Sequence, residues 1–172
     1  FGVSIYNQID HISIEVIMLH YINGVSLFDS DADALVNPVN CHGVMGKGIA
    51  KEFSKRFPEI LSPYKEACAK HILRPGMIMK IKMCIKPELF MINHPTIILF
   101  ATKDHWRNPS KLEWIREGAT ELLNRASEWN LKSIAMPLIG CGLGGLNWSD
   151  VQPILEELFG STNLDIMIHF PI

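Results

Sequence analysis

Two short stretches concentrate this chain's capacity for binding chemistry. The first is Asn40-Cys41-His42-Gly43-Val44-Met45-Gly46-Lys47-Gly48, and the second is Gly140-Cys141-Gly142-Leu143-Gly144-Gly145. Each follows a short apolar run and leads into a segment with helical spacing. Glycine admits positive φ and lets backbone amides come close to a ligand. Successive N–H groups in such a turn form an anion-binding nest, and a helix N-terminus behind it adds its dipole. Two such loops at the carboxyl end of one sheet would hold the two phosphates of a dinucleotide-like ligand. The plain alternative is a pair of tight turns; seven glycines gathered in two places argue against it.

Two commoner phosphate motifs come close and fail. A P-loop needs Ser or Thr after its lysine to hold Mg²⁺, and here Gly48 follows Lys47. Gly140, Gly142 and Gly145 satisfy G-x-G-x-x-G, with Asp165 about 20 residues on. That match lies too near the C-terminus to leave room for the remaining βαβ units of a Rossmann domain.

The elements that must position these loops alternate. Strands are expected over 19–28, interrupted at Asn23-Gly24, and over 34–37, stopped by Pro38. Ile49, Phe53 and Phe57 recur every four residues and define one face of a helix that Pro58 ends. A second short helix fits 59–70. Residues 77–82 alternate apolar and basic side chains, as a half-exposed strand would, and Lys86-Pro87 suits a turn. Strands are expected at 90–92, 97–100, 133–136 and 164–170. A helix spans 112–129, with Ser110 as N-cap and Glu113 as its capping-box partner. A last helix starts at a Ser149 cap and runs through Phe159. Strands alternating with helices predict an α/β fold with a mixed, mostly parallel sheet covered on both faces.

Composition bounds the rest. The chain has 172 residues, 48% hydrophobic and 20% charged, which suits one domain with a sizeable core. Its net charge of -2 implies no bulk electrostatic grip on nucleic acid, so any such contact is local. Cys41, Cys68, Cys84 and Cys141 form no C-x-x-C pair, and reduced cytoplasmic thiols are expected. The histidines lack metal-ligand spacing, no apolar run reaches the ~18 residues of a membrane span, and no signal peptide is evident. Neither metal nor cofactor is expected. Residues 1–17, ahead of Met18, read as an N-terminal extension, a leader or an extra edge strand.

The two loops, in this order, resemble those of macrodomains. The resemblance runs from about Tyr21 to the C-terminus and rests on Ala34-Leu35-Val36-Asn37-Pro38-Val39-Asn40, on Gly43 to Ala50, and on Pro137 to Leu146. It implies a three-layer α/β/α macrodomain over 18–172 that binds ADP-ribose. Within the superfamily, Thr102-Lys103-Asp104-His105-Trp106-Arg107, then Pro109-Ser110, and Trp148 resemble the DarG-type branch. That branch removes ADP-ribose from thymidine bases of single-stranded DNA, as the antitoxin of a DarT-type toxin. The resemblance implies Lys103 as the catalytic lysine, with Asn40 at the distal ribose. It implies ligand contacts from Ser26, Leu27, Asn37, Gly43, Val44, Met45, Gly46, Gly48 and Ile49. From the second side it implies contacts from Pro137, Gly140, Cys141, Gly142, Leu143, Gly144, Gly145 and Leu146. Ser26 stands where many macrodomains place an aspartate on adenine. A glutamate-directed relative carries an aspartate where this chain has Gly144. The resemblance also implies a further toxin-contacting region, so that this chain is a domain of a longer protein or a shorter homologue.

The chemistry asks a lysine for one of two services. A neutral amine attacks C1″ of the ribose; a charged one stabilises or protonates the departing base. Burial or neighbouring cations such as His105 and Arg107 would lower its pKa, and a facing diphosphate would raise it. Trp106 and Arg107 are candidates for stacking on an unpaired base and meeting phosphate, or Trp106 packs on the following helix. Asp104 interrupts any basic stripe. Lys47 is either phosphate-facing or solvated, and His42 is structural or peripheral. A non-catalytic ADP-ribose reader, or a hydrolase of ADP-ribosyl glutamate or O-acetyl-ADP-ribose, is the alternative function.

Overall fold

The computed structural model describes residues 19–81 and 95–172. The leader, Met18, Cys84, the Lys86-Pro87 turn and the strand expected at 90–92 lie outside them. Among the described residues, β1 (Leu19–Ile22), β2 (Ala34–Val39), β3 (Ile78–Ile81), β4 (Thr96–Ala101), β5 (Ser133–Pro137) and β6 (Asp165–His169) form one sheet. Its order is β1-β6-β5-β2-β4-β3, parallel throughout except where β3 meets β4. The central strands are apolar almost without interruption because both faces are covered. Ile97, Ile98, Leu99, Phe100 and Ala101 are all fully buried.

Helices α1 (Gly48–Arg56) and α2 (Leu61–Ala69) cover one face. Phe53, Ile60, Tyr64 and Ala67 pack there against Leu35, Ile97 and Leu99. Helices α3 (Leu112–Ala126) and α4 (Trp148–Phe159) cover the other. Ile115, Ala119, Leu122 and Ala126 from α3 and Val151, Leu155 and Phe159 from α4 meet Val36, Ile98, Phe100 and Met136. Helical spacing of three and four residues puts each set on one face. Each large side chain so buried contributes about 1.5–3 kcal/mol. The result is the expected mixed, mostly parallel α/β/α sandwich.

Several expectations need correction. The first strand stops at Ile22, and Leu27–Asp29 forms a 3-10 turn. Asn23-Gly24 breaks the ladder rather than interrupting it. Pro38 lies inside β2 opposite Phe100. β5 pairs with β2 only at Ala34 and Leu35, so beyond them one flank of β2 asks for no ladder donor. The second helix begins at Leu61, after a 3-10 turn at Pro58–Ile60. In β3 the two buried residues, Ile78 and Ile81, point to opposite cores, so the strand is covered on both sides rather than half exposed. α3 ends at Ala126, not 129. Neither serine cap forms: Lys111 and Asn147 occupy the cap positions without side-chain capping bonds, and Glu113 faces Lys111 at 3.5 Å.

Asp33 fastens the foot of the sheet. Its Oδ2 accepts from the amides of Lys132 (2.7 Å) and Ser133 (3.0 Å). Its own amide donates to Ser133 Oγ at 2.9 Å, and its carbonyl accepts from Thr96 N at 2.8 Å. β4 and β5 are therefore tied to β2 at their starts. At the other end β2 and β5 part, because their pairing goes no further than Leu35 and Ala135. The chain leaves β2 for α1 on one face and leaves β5 for α4 on the other. That reversal is the switch point at which open α/β sheets bind ligands.

Candidate functional site

Both glycine loops emerge at that switch point. Loop 1 (40–47) follows β2 and loop 2 (138–147) follows β5; the strands are parallel, so both loops lie at one end. They face each other. A Cβ added to Gly48 would lie 3.4 Å from Leu143 Cδ1. A third loop, 102–111, follows β4 and joins them.

Lys103 sits at that junction, buried with 9% of its surface exposed. Its backbone belongs to the loop 1 side: Cys41 Sγ donates to the Lys103 carbonyl at 3.3 Å, and Cys41 N donates to Asp104 O at 2.8 Å. Its amine reaches the other side, donating to Leu143 O of loop 2 and to Trp106 O at 3.5 Å. Burial lowers the lysine pKa below its ordinary value.

Loop 1 is braced from within. Asn40 is buried; its Nδ2 donates to Val44 O at 2.6 Å, and its Oδ1 accepts from His42 N at 2.9 Å. Tyr64 of α2 donates its hydroxyl to Asn40 O at 2.8 Å. Asn37 Nδ2 meets Met45 Sδ at 3.7 Å beneath the loop. One Asn40 amide hydrogen stays uncommitted, since an amide nitrogen has two. Gly43, Val44, Gly46 and Gly48 form the outer surface of this loop, Met45 is buried and Ile49 half-buried. Cys41 is no nucleophile, because burial pushes its thiol up to about 12.

Loop 2 has a different construction. Cys141 N, Gly145 N and Leu146 N donate to the carbonyls of Leu138, Gly142 and Gly140 at 3.0–3.1 Å. Ser110 N donates to Gly144 O at 2.8 Å. Gly140 has φ +76°, and a Cβ there would lie 2.8 Å from Leu146 Cδ1. At Gly144 a Cβ would fall 2.2 Å from Gly140 O and 2.5 Å from Ser110 Oγ. No other residue fits this backbone. Gly142, Leu143 and Gly145 are exposed, and Pro137, Cys141 and Leu146 half-buried.

The 3-10 turn flanks the same end. Ser26 Oγ accepts from Phe28 N at 3.3 Å, and Leu27 is a core residue, so only its backbone can face a ligand. Phe28 packs on Phe53 of α1 at 4.8 Å between centroids. Trp106 and Arg107 are both exposed. Trp106 stacks on His105 at 3.8 Å, and the Arg107 guanidinium carbon lies 6.0 Å from the indole centroid. Trp148 opens α4 and packs edge-on against Tyr21 and Phe170.

Sequence reading gave Ser110 a different role, named Asn37 only as a ligand contact and missed His169. Ser110, read as a cap, instead supports loop 2, and its buried Oγ has no protein partner. The same is true of Asn37 Oδ1 and of His169 Nε2 at the end of β6. All three lie toward the carboxyl end of the sheet. Buried polar atoms are normally satisfied; a fourth without a hydrogen bond, Asp165 Oδ1, lies at the start of β6, and the three near the loops are those that bear on the site. His42, read as structural or peripheral, meets His105 edge-on at 4.9 Å and Trp106 at 5.9 Å, linking loop 1 to the third loop. Among the described residues no group of three His, Cys, Asp or Glu side chains could hold a metal ion, and no helix is long and apolar enough to cross a membrane.

A mixed sheet between two helical layers, with two glycine loops converging beside a buried lysine, defines the class. The chain belongs to the macrodomain family: the Macro domain pattern matches residues 36–155. A DNA ADP-ribosyl glycohydrolase of Mycobacterium tuberculosis is 41% identical over 90% of this chain and 42% of its own length. Its counterpart from Thermus aquaticus is 36% identical, again over 90% and 42%. The chain thus spans less than half the length of these relatives. The solved macrodomain of Mycobacterium tuberculosis DarG superposes with a TM-score of 0.80 at 37% identity, covering 90% of this chain and 97% of that one. Thermosipho africanus DarTG, solved in complex with ADP-ribose, gives 0.80 at 30%, over 89% and 42%.

Proposed function

We propose that this domain hydrolyses the N-glycosidic bond between ADP-ribose and a thymidine base of single-stranded DNA, within a system that pairs it with a DarT-type toxin. The observation that carries this reading is Lys103: its amine is buried where the two glycine loops meet. The macrodomain relatives named DNA ADP-ribosyl glycohydrolase support the substrate.

Loops 1 and 2 cradle the diphosphate with their backbone amides. Asn40 keeps loop 1 in shape and offers its spare amide hydrogen to the distal ribose. The Ser26–Leu27 turn meets the adenine end. There Ser26 Oγ replaces a carboxylate and already accepts one backbone amide, so adenine is gripped less firmly than by an aspartate. Lys103 acts at C1″. A buried amine with a lowered pKa is suited to nucleophilic attack. Its lone pair forms the N–C1″ bond while the C1″–base bond breaks, and the base nitrogen keeps that electron pair and takes up a proton. Water then hydrolyses the adduct, freeing Lys103 and ADP-ribose. Gly144 argues against the glutamate-directed chemistry, because an aspartate there would overlap Gly140 O and Ser110 Oγ.

An ADP-ribosylated oligonucleotide tests this. Wild type releases ADP-ribose without added metal. Lys103→Ala lowers turnover on the order of 10³-fold while ADP-ribose binding, read by calorimetry, stays within a few-fold. The wild-type rate rises with pH as the ammonium loses its proton, and levels off below the ordinary lysine pKa of about 10.4. Mass spectrometry during turnover shows one ADP-ribosyl group on the protein. Full activity in Lys103→Ala would remove the assignment; binding without any wild-type turnover would make the domain a reader.

A further inference from the structure

A cavity of about 920 Å³ lies apart from the crevice between the loops. It lies behind loop 1, where α2 and the turn after it approach Asp104. Lys65, His71 and Arg74 line it from one side and His42 and Gly43 from the other. Lys65 packs its stem against loop 1: a Cβ on Gly43 would lie 3.3 Å from Lys65 Cγ. Among the described residues neither Lys65 nor Arg74 forms an ion pair, whereas neighbouring Lys70 is joined to Glu66. Arg74 spends only Nε, on His71 O at 3.3 Å. Asp104 is the lone carboxylate of the lining, and it faces His42 at 3.7 Å.

The groove borders the loop that carries the lysine, since Asp104 lines it. Asp104 follows Lys103 in sequence, and His42 abuts the His105–Trp106 stack. A flat aromatic platform therefore stands beside the reacting position, with two uncommitted cations in a concavity beyond it. Single-stranded nucleic acid is recognised by that combination, bases on aromatic faces and phosphates on cations. The concavity is also local, as a chain of net charge -2 requires.

Resting on the function proposed above, we infer that this groove holds the DNA strand flanking the modified thymidine. A neighbouring base stacks on Trp106, and the backbone phosphates meet Lys65 and Arg74. The ADP-ribose crevice binds the modification; this second surface reads the polymer.

The test compares an ADP-ribosylated thymidine mononucleotide with an ADP-ribosylated ten-nucleotide strand, in wild type and in the double variant Lys65→Glu/Arg74→Glu. The variant loses about tenfold or more in kcat/KM on the strand at low salt and less than about twofold on the mononucleotide. The salt dependence on the strand falls by about 0.7 per lost phosphate contact. Lys65→Gln/Arg74→Gln gives a smaller loss in the same direction, and an unchanged melting temperature shows that folding is intact. Equal losses on both substrates, or none on either, would overturn the groove while leaving the glycohydrolase standing. Should wild type process neither substrate, the glycohydrolase reading fails instead. The groove is then read from anisotropy of labelled, unmodified oligothymidylate: weaker binding by the variant supports it, and equal binding removes it.

Discussion

The two glycine loops look alike in composition and are built on opposite principles. Loop 1 is held chiefly by side chains: Asn40 spans its turn, Tyr64 anchors it from α2, and the Cys41 thiol ties it to the Lys103 carbonyl. Loop 2 is held by backbone hydrogen bonds and by the absence of a Cβ. At Gly144 the carbonyl of Gly140 and the hydroxyl of Ser110 already occupy the space a methyl group would need. A loop held by several polar contacts weakens by steps. One shaped by close approach tolerates nothing at the point of approach, yet leaves open a position such as Gly142, where a Cβ would meet nothing within 4 Å.

That contrast can be broken, and the largest effect is expected at Gly144. Gly144→Ala should displace the loop, lower ADP-ribose affinity by about a hundredfold and destabilise the fold by about 1–3 kcal/mol. Calorimetry and thermal melting measure both, and an unaltered affinity would show that loop 2 is not sterically shaped. Tyr64→Phe keeps the ring and removes one hydrogen bond to Asn40 O. It should cost about 1–2 kcal/mol, seen as a melting temperature lower by about 2–8 °C, with ADP-ribose binding weaker by a few-fold. A loss of binding as large as that of Gly144→Ala would erase the distinction between the loops. Gly142→Ala sharpens it from the other side. Nothing lies within 4 Å of the position its Cβ would take, so stability should stay within about 0.5 kcal/mol.

How far the sequence carried the fold follows from the same physics. Apolar periodicity located α1 and α3, because their packing faces repeat at fixed spacing, and short apolar runs located the buried strands. Both misplaced ends governed by single contacts. Pro38 looked like a stop, yet β2 continues where β5 no longer pairs. Ser110 had the sequence of a cap, but it is drawn under loop 2, a long-range demand that no local pattern encodes. In the site, the glycines were legible as loops, whereas their different constraints were not. Lys103 stood out only through family resemblance; one lysine at a strand end carries no signal of its burial. Lys65 and Arg74 were invisible for a related reason, since nothing local tells that α2 folds against loop 1.

Asp33 gives the sheet an asymmetry with a practical result. Three strands are riveted at one end by a single carboxylate and its backbone, while two of them diverge at the other. Such a frame works like tweezers. The spread of the tips is governed at the fulcrum, by a residue remote from anything the tips grasp. Loops at the open end can therefore be exchanged to suit a larger or smaller guest without re-engineering the interior.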